Sequence, residues 1–424
     1  MQAIKMQEFD SYIEFFHAKN VGLFVELNIE FNRKFNFIIG PNGSGKTSIF
    51  RCIAICLNPH ESAYFSRYGN NAEIWIDLSL NNKRYRLGVG KGSVLQGNIY
   101  RNARLFRIFD PPEKSGYTSI TSFQLRESDI NFSPLIIGAY RKIGYKRISG
   151  MQREESPKVQ RQHYRANAVK YLEGIIMPDV KQWMINRYFQ IDKKWADIIT
   201  RNWEWLLKNM KYLGPSDVKF DFIDIQKDLE PIFSLNGVNC YLEELSAGYQ
   251  SILSLILTVF NWVEDIYDGN NRVVENASGT VIIDELDVHM HPEWQFTIRR
   301  TLEKFFPKIQ FIISTHSPHL IATAESNEII ILPQFSRIIN VKPTPKIYSG
   351  WSTDQILEDL MGVKSLENKF YSILYKKALE YIDKKNIEAL KDVISTMEKI
   401  THPSDTIVER LKIKLASLTL DDNS

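Results

Sequence analysis

Runs of apolar and alternating residues predict a buried sheet in this chain. Residues 35–39 (FNFII) predict a buried strand, and a glycine-rich loop follows it. Residues 73–89 alternate with the two-residue period of strands, which predicts a hairpin that turns at Asn81-Asn82. Further apolar runs, two of them rich in β-branched residues as in parallel strands buried on both faces, predict strands at 133–140, 280–283 and 310–314.

Helical periodicity predicts the remaining elements. Residues 48–57 and 250–263 each predict a helix with an apolar face. Residues 167–212 predict a helical segment that is anchored in the core by four tryptophans, Trp183, Trp195, Trp203 and Trp205. Strand-like character returns at 232–241, and after Pro345 the chain is helical and charged without a strand signal.

Composition excludes several classes of protein. The chain has 424 residues, of which 53 are basic and 50 acidic, and its net charge of +3 excludes a histone-like polycation. The longest apolar stretch, 251–263, is shorter than the roughly 20 residues of a membrane-spanning helix, so we expect no integral membrane protein. Residues 1–12 lack the apolar region of a signal peptide.

The cysteines predict a reducing compartment. Cys52, Cys56 and Cys240 are too few for a disulfide framework in a chain of this length, so we expect a cytoplasmic protein. Cys52 and Cys56 lie one helical turn apart in an apolar segment with no other Cys or His nearby. That setting favours buried thiols over a metal site.

The glycine-rich loop carries the strongest chemical signal. Residues 40–47 (GPNGSGKT) fit the pattern G-x-x-x-x-G-K-[ST] between a predicted strand and a predicted helix. Glycine lets the backbone turn its N–H groups toward a phosphate, the lysine reaches the β- and γ-phosphates, and Thr47 offers a hydroxyl to Mg²⁺. We therefore predict a nucleotide site. Its predicted contacts are Asn42, Gly43, Ser44, Gly45, Lys46, Thr47 and Ser48.

Two carboxylates follow the apolar run at 281–283. Asp284, at the carboxyl end of the predicted strand, is placed to hold Mg²⁺ directly or through water. Glu285 is placed to orient and deprotonate an attacking water, a role that typically contributes ~10²–10⁴-fold to a rate. An acidic turn alone is a weak signal, and the P-loop beside it makes the magnesium site the better interpretation.

Residues 245–251 (LSAGYQS) resemble the LSGGQ-type signature of ATP-binding-cassette (ABC) ATPases, and they precede the strand of Asp284 as in that family. The resemblance implies an α/β fold: an ABC-type P-loop NTPase with a mixed sheet core, a helical insertion and a C-terminal helical extension. It also implies ATP as the ligand. In that family the signature helix faces the γ-phosphate held by the other subunit, so Ser246, Gly248 and Gln250 are expected to contact ATP across a dimer.

Two further segments carry the same resemblance. Residues 286–292 (LDVHMHP) are similar to the D-loop of SMC, Rad50 and OLD proteins, which makes Asp287 a predicted nucleotide contact. Residues 311–316 (FIISTH) resemble the switch segment, which implies a catalytic role for His316 beside Glu285. His289 and His291 also fit a metal pair, but no third ligand is evident. No residue is assigned to the Q-loop.

The resemblance covers residues 1–332 in outline and implies a division of the chain. The expected parts are an N-terminal ATPase segment (1–140), a basic helical insertion (141–212), a C-terminal ATPase segment (213–340) and a helical C-terminal region (341–424). The insertion is compact, whereas SMC and Rad50 proteins insert long coiled coils. The chain therefore resembles the small SMC-like ATPases of bacterial anti-phage operons, and in particular the ATPase subunit of Septu-type systems.

That resemblance implies a homodimer or dimer-built oligomer that controls a separate nuclease of the HNH type. OLD proteins instead carry their own TOPRIM nuclease, which needs a D-x-D pattern, and residues 333–424 contain none. We therefore expect an ATP-hydrolysing ATPase that regulates a partner nuclease in phage defence and is not itself a nuclease. Two alternatives remain: a scaffold that ATP holds together without hydrolysis, and a DNA-repair ATPase.

Two surfaces keep open interpretations. Residues 141–170 contain nine basic and two acidic residues together with Tyr140, Tyr145 and Tyr164 at or near their ends. They fit either a nucleic-acid contact, in which Arg141 and Arg147 bind phosphates, or a solvated helix surface. In the C-terminal helices, apolar residues at helical spacing fit either a partner's docking site or packing on the ATPase itself. They are Ile356, Leu357, Leu360, Leu374, Leu379 and Ile382.

Overall fold

The computed structural model describes residues 11–60, 71–95, 104–105, 107–141, 143–214, 217–334, 336–363, 369–402 and 406–421. The chain forms two compact units, Met1–Gly362 and Val363–Ser424. Residues 1–10, Lys142 and Asp422, on which parts of the sequence predictions fall, lie outside the described residues.

A five-stranded parallel sheet carries the predicted phosphate loop. Its strands are β3 (Phe35–Ile39), β9 (Leu135–Ile137), β13 (Gly279–Ile283), β14 (Ile309–Ser314) and β15 (Ile329–Ile331). Their order is β15-β3-β14-β13-β9, and each neighbouring pair is parallel. Because the carboxyl ends of parallel strands share one edge, the P-loop after β3 and the acidic turn after β13 meet there. The strands predicted in these regions are confirmed.

A second, six-stranded sheet lies across the core from the first. Its strands are β1 (Ser11–Val21), β2 (Phe24–Glu30), β4 (Glu73–Leu80), β5 (Lys83–Val89), β8 (Thr118–Ile120) and β16 (Ile338–Val341). Their order is β16-β2-β1-β4-β5-β8, with antiparallel pairs at its centre. The predicted β4–β5 hairpin is confirmed, and its turn residues Asn81 and Asn82 both have positive φ angles, which asparagine tolerates well.

The main core joins both sheets to the helix that follows the P-loop. The helix α1 (Lys46–Leu57) buries Ile49, Ile53 and Leu57 against apolar residues of the two sheets. Cys52 and Cys56 are fully buried in the same helix, and burial raises the pKa of both thiols. The prediction of buried thiols is therefore confirmed.

Two smaller sheets complete the strands. They are formed by β6 (Val94–Leu95) with β7 (Arg104–Leu105), and by β10 (Phe220–Ile225), β11 (Pro231–Leu235) and β12 (Val238–Tyr241). The last two strands confirm the strand-like character at 232–241. The strand β10 was not predicted, because its sequence FDFIDI does not keep the two-residue alternation of a strand: Phe222 and Ile223 are adjacent, and the register with β11 shifts there.

Nine further helices belong to the described part of the first unit. They are α2 (Ser122–Glu127), α3 (Pro157–Ala166), α4 (Ala168–Leu172), α5 (Val180–Gln190), α6 (Asp197–Asn209), α7 (Ala247–Ile266), α8 (Pro292–Phe305), α9 (Pro318–Ala322) and α10 (Thr353–Asp359). Short 3₁₀ helices lie at Met210–Tyr212, Leu242–Glu244 and Gly269–Arg272. None of these helices, nor any other in the described part of the chain, combines the length and apolarity of a bilayer-spanning helix.

The tryptophans of the helical insertion divide into two kinds. Trp183 and Trp203 are each 4% exposed and serve as the predicted anchors, and Trp205 is partly buried. The prediction is wrong for Trp195, which is 70% exposed. Trp195 lies in the turn between α5 and α6, so it belongs to no helix face that packs on the core.

The second unit is a small helical bundle with its own core. Its helices are α11 (Lys369–Asp383), α12 (Ile387–Glu398) and α13 (Thr406–Asp421). Leu374 packs with Leu390, Ile394 and Met397 in this core, whereas Leu379 is 41% exposed. Residues 341–362, which the sequence groups with the C-terminal helices, lie in the first unit, where Ile356 and Leu360 are buried.

Candidate active site

The phosphate loop between β3 and α1 is shaped by its glycines. Gly43 and Gly45 have φ angles of +79° and +97°, in the left-handed region that favours glycine. At Gly45 there is also no space for a side chain, since an added Cβ would lie 2.7 Å from Cζ of Phe24. The helix α1 begins at Lys46 immediately after this turn, which places the positive end of a helix dipole at the loop.

The lysine of the loop is held by backbone carbonyls. Nζ of Lys46 donates to the carbonyl oxygens of Gly40 at 2.8 Å and Pro41 at 3.2 Å, and the side chain is buried. Burial lowers the pKa of Lys46, while the carboxylates of Asp284, Glu285 and other nearby acids act in the opposite sense. A phosphate would offer this ammonium a charged acceptor in place of neutral carbonyls.

Asp284, at the end of β13, is bonded to the helix α1 and to the neighbouring strand β14. Its Oδ2 accepts a hydrogen bond from Oγ1 of Thr47 at 2.8 Å, and its Oδ1 accepts one from Oγ of Ser314. A hydroxyl from α1 and a carboxylate from the end of β13 thus lie side by side. Hydroxyl and carboxylate oxygens are hard ligands of the kind that Mg²⁺ takes, and one or two of them suffice because Mg²⁺ keeps several waters and phosphate oxygens.

The backbone at Glu285 is strained. Its φ angle of +48° lies in the left-handed region that a non-glycine residue seldom adopts. Two bonds fix this turn to the end of β14: the Glu285 N–H donates to Oγ of Ser314 at 2.8 Å, and the Leu286 N–H donates to the Ser314 carbonyl at 3.1 Å. Glu285, held in this strained turn, is one of the residues that line the cavity described below.

Asp287 and His316 are linked through the segment after β14. One oxygen of Asp287 accepts both the Thr315 hydroxyl, at 2.5 Å, and the His316 N–H, at 3.1 Å. Burial and then the Lys46 ammonium lower the pKa of His316, so its imidazole is neutral at neutral pH. A neutral imidazole can donate from one nitrogen and accept at the other.

Most of the predicted site residues line one cavity of about 250 Å³. The structure brings together Asn42, Gly43, Gly45, Lys46, Thr47, Ser48, Asp284, Glu285 and His316 at its wall. Leu23, from the turn between β1 and β2, and Ser314 complete the lining. Ser44 and Asp287 belong to the same loops but are not among the lining residues.

The signature residues lie apart from that cavity. Ser246 is the exposed N-cap residue of α7, and its side chain makes no capping hydrogen bond. Gly248 is buried because the ring of Trp294 lies where a side chain would be, 1.8 Å from an added Cβ. Nε2 of Gln250 donates to the carbonyls of Glu243 and Leu245, so this amide shapes the preceding loop instead of facing solvent. None of the three predicted contacts lines the P-loop cavity of its own chain.

Two family models match the segments that form the cavity. The model described as "AAA ATPase domain" matches residues 141–321, and the model described as "AAA domain, putative AbiEii toxin, Type IV TA system" matches residues 35–101. The first range contains the acidic turn and the second contains the P-loop. The chain is a P-loop ATPase.

This ATPase resembles the Septu protein PtuA of Bacillus thuringiensis, with 25% identity over 411 residues, 93% of this chain and 96% of that protein. It is also similar to the retron Ec83 probable ATPase of Escherichia coli, with 29% identity over 196 residues, 46% of this chain and 36% of that protein. Among solved structures, the SMC head domain from Thermotoga maritima matches 78% of this chain and 98% of that chain, with 15% identity and a TM-score of 0.45. The predicted resemblance to the Septu ATPase and the predicted α/β fold class are confirmed.

Several residues of the ATPase do not lie where the nucleic-acid interpretation requires. Arg141 is 2% exposed and donates to backbone carbonyls at the acidic turn, so neither of the two interpretations of residues 141–170, a nucleic-acid contact or a solvated surface, fits this residue. Arg165 is also buried on backbone carbonyls, and the Tyr164 ring is buried with its hydroxyl on Asp265. The charge of an arginine does not show from the sequence whether the side chain faces solvent or a carbonyl. Here Arg141 is bound by the carbonyls of the turn after β13, and Arg165 by carbonyls of the segment before β9.

Sequence reasoning missed two hydroxyls that organise the site. Ser314 connects Asp284 with the Glu285 turn, and Thr315 holds Asp287. Their position in the sequence was the available signal, because Ser314 ends a predicted parallel strand and Thr315 lies between it and His316. For His289 and His291, the described residues include no group of three or more His, Cys, Asp or Glu side chains that could hold a metal ion.

Proposed function

We propose that this ATPase binds and hydrolyses Mg·ATP in the P-loop cavity. The observation that carries the proposal is the Thr47–Asp284 contact of 2.8 Å beside Glu285 at one wall of that cavity. These residues fit a magnesium ion, which when bound would neutralise phosphate charge and orient the γ-phosphate. Thr47 and Asp284 would hold the ion, and Lys46 would exchange its carbonyl acceptors for phosphate oxygens.

Two side chains would then carry the hydrolysis. Glu285 would accept a proton from the attacking water, since this residue lines the cavity and its turn is fixed by Ser314. His316 would contact the γ-phosphate as a neutral donor, held at its backbone by Asp287. Both roles follow from the motif resemblance and are supported by the position of both residues at the cavity.

The site would be completed by a second copy of the chain. Ser246 is exposed at the tip of α7 and does not line the cavity of its own protomer. The N-terminus of a 20-residue helix attracts anions, so the tip would suit the γ-phosphate of a nucleotide held by the partner. We therefore propose a homodimer or a dimer-built oligomer in which Ser246 and Gly248 face the partner's ATP.

We propose that this ATP cycle controls a separate HNH-type nuclease in cytoplasmic phage defence. The similarity to a Septu protein PtuA, 25% identity along 93% of this chain, supports the assignment to such a system. The C-terminal residues 333–424 lack the D-x-D pattern of a TOPRIM nuclease, so cleavage is assigned to a partner. In a phage-protection assay, the ATPase together with an HNH-type partner is expected to protect, and removal of that partner is expected to abolish protection while ATP turnover is retained. Full protection by the ATPase alone would contradict it.

The test of hydrolysis compares two variants of the full chain. Glu285→Gln is expected to lower ATP turnover by about 10²–10⁴-fold while ATP binding persists, because it removes the base but not the phosphate contacts. Lys46→Ala is expected to weaken ATP binding itself, which fluorescent-nucleotide titration measures. Equal turnover of wild type and Glu285→Gln would overturn the proposal. Absent turnover with ATP-dependent assembly, measured by mass photometry, would instead support a scaffold that ATP holds together.

A second candidate function is contact with nucleic acid through the remaining exposed residues of the insertion. Tyr145 is 69% exposed, and Arg147, Arg153 and Lys158 face solvent nearby in the sequence. Charge reversal at Arg147 and Arg153 is expected to weaken DNA binding and lower its salt dependence. Reversal at the exposed Lys391 and Lys399 of the second unit is the control. Equal DNA binding by both variants would contradict this candidate.

A further inference from the structure

Arg141 occupies an unusual place at the carboxyl end of β9. The side chain is 2% exposed, and it reaches the acidic turn after the neighbouring strand β13. Its Nη1 donates to the carbonyl of Asp284 at 2.9 Å, and its Nη2 donates to those of Glu285 at 2.7 Å and Leu286 at 3.3 Å. Three consecutive carbonyls of the turn thus share one guanidinium.

The remaining contacts of Arg141 tie that turn to two other elements. Nη1 also donates to the Gly138 carbonyl at 3.0 Å, which anchors the side chain to the end of its own strand. Nε approaches Oγ of Ser251 at 3.4 Å, and Ser251 lies in the second turn of the signature helix α7. The planar guanidinium has five donors in a fixed fork, which a lysine ammonium does not reproduce.

The charge of Arg141 is kept although the group is buried. Burial lowers its pKa to about 10, and the carboxylates of Asp287, Asp284 and Glu285 act in the opposite sense. The group is therefore protonated at neutral pH. A buried cation is expensive unless every donor is satisfied, so the turn is held where its carbonyls meet the guanidinium.

This contact bears on the strained residue of the site. Glu285 has a φ angle of +48°, a conformation that persists only where the surroundings enforce it. Ser314 fixes the N–H side of the turn, and Arg141 fixes its carbonyl side. Without the guanidinium, the carbonyls of the turn lose three hydrogen bonds, and Glu285 can relax toward an ordinary φ angle. That change would rotate the Glu285 side chain away from the cavity.

We propose that Arg141 is a positioning residue that holds the Asp284–Leu286 turn, and with it the Glu285 carboxylate, in the geometry for ATP hydrolysis and couples that turn to the signature helix. The inference rests on the proposed role of Glu285 as the base. Arg141 would not touch ATP or Mg²⁺, so it should govern turnover and leave nucleotide affinity nearly unchanged.

The chain supplies a matched control at the other end of the same strand. Arg165 is 7% exposed and donates to the carbonyls of Leu125, Ile130 and Phe132, which precede β9. Burial lowers its pKa to about 10 as well. Arg165→Lys therefore removes a buried guanidinium that donates to backbone carbonyls, as Arg141→Lys does, but leaves the acidic turn unchanged.

The experiment measures turnover and nucleotide affinity on the full chain, for wild type, Arg141→Lys and Arg165→Lys. Fluorescent ATP gives the dissociation constant and the bound fraction, phosphate release gives kcat per bound protomer, and thermal unfolding reports folding. For Arg141→Lys we expect kcat to fall by about 10–100-fold, part of the ~10²–10⁴-fold that a positioned base contributes, with the dissociation constant within about threefold. Arg165→Lys is expected to lose comparable thermal stability and to keep its kcat.

Each result has a defined meaning. Equal kcat losses in both variants, or an unchanged kcat in Arg141→Lys, would overturn the inference. If wild type turns over and Glu285→Gln does not, the proposed function stands whichever way Arg141→Lys falls; if wild type has no turnover, the proposed function itself fails. Should Arg141→Lys not fold, Ser251→Ala decides. It is expected to lower kcat about threefold, as for one lost hydrogen bond, and an unchanged kcat would overturn the coupling.

Discussion

Gly248 provides a sharp test of how the signature helix is packed. Its φ angle is ordinary, so alanine is allowed by the backbone and space alone decides the outcome. An added Cβ would lie 1.8, 2.6 and 2.8 Å from three atoms of the Trp294 ring. The ring would have to move by about 1.6 Å to reach ordinary van der Waals contact. The Trp294 ring is buried and packs edge-to-face on Tyr249, with 4.7 Å between the ring centroids, so its neighbours leave no space for that movement.

The magnitude follows from two opposing terms. Overpacking of this severity is expected near the upper end of the usual range, about 3 kcal/mol. Against this loss, the higher helix propensity of alanine than of glycine stabilises the folded state by at most about 1 kcal/mol. We therefore expect Gly248→Ala to lower the free energy of unfolding by about 2 kcal/mol. In a Trp294→Leu background only the helix-propensity term remains, so the same change should stabilise the protein by up to about 1 kcal/mol, which gives a coupling energy of about 3 kcal/mol.

The assay is urea unfolding followed by far-UV circular dichroism for the two single variants and the double variant. Gly350→Ala is the matched control, because Gly350 also has an ordinary φ and an added Cβ there meets nothing within 4 Å. Stability losses that simply add in the double variant would refute the reasoning. So would a Gly248→Ala protein as stable as Gly350→Ala, since the ring would then have moved aside freely.

Two further predictions concern pH and magnesium. Burial raises the pKa of Asp265 to about 7 in the folded chain, whereas its value in the unfolded chain is near 4. Between these two pH values the folded chain holds a proton that the unfolded chain has released. The stability of the folded chain therefore falls as the pH rises through this range. The free energy of unfolding of Asp265→Asn, relative to that of wild type, should therefore rise by on the order of 2 kcal/mol from pH 5 to pH 8 in urea unfolding. A difference between the two proteins that does not change with pH would contradict this. Thr47→Val should weaken ATP binding about tenfold in Mg²⁺ and little in EDTA by calorimetry, since it removes a proposed ligand of the ion. Thr47→Ser is the control, and an equal loss in EDTA would contradict that role.

The parts of the site that the sequence predicts are those whose residues are adjacent in the chain. The P-loop and the acidic turn are each contiguous, and the parallel strands before them explain why Thr47 and Asp284 meet. Tertiary neighbours could not be predicted in the same way. Arg141 looks like a surface cation in a basic stretch because its partners, the carbonyls of residues 284–286, carry no sequence signal.

The helical insertion shows the same limit with aromatic and charged residues. Trp183 and Trp195 have the same side chain, yet one donates to Glu264 in the core and the other lies exposed in a turn. Helical periodicity predicts that α5 exists but not which residues lie beyond its end. Glu264, which merely breaks an apolar run in the sequence, is 1% exposed and accepts hydrogen bonds from two helices of the insertion.

Those contacts give the signature helix a firm attachment at each half. Near its N-terminus, Ser251 meets Arg141, which holds the acidic turn. Near its C-terminus, Glu264 accepts from Trp183 and Arg187 of α5 and from Asn202 of α6. Breaking a buried charge pair such as Arg187–Glu264 typically costs about 3–5 kcal/mol. A motion that costs less free energy than this therefore leaves α5 and α7 packed together. A displacement of the tip at Ser246 that keeps the Glu264 bonds must then either carry the insertion with it or bend a helix of 20 residues.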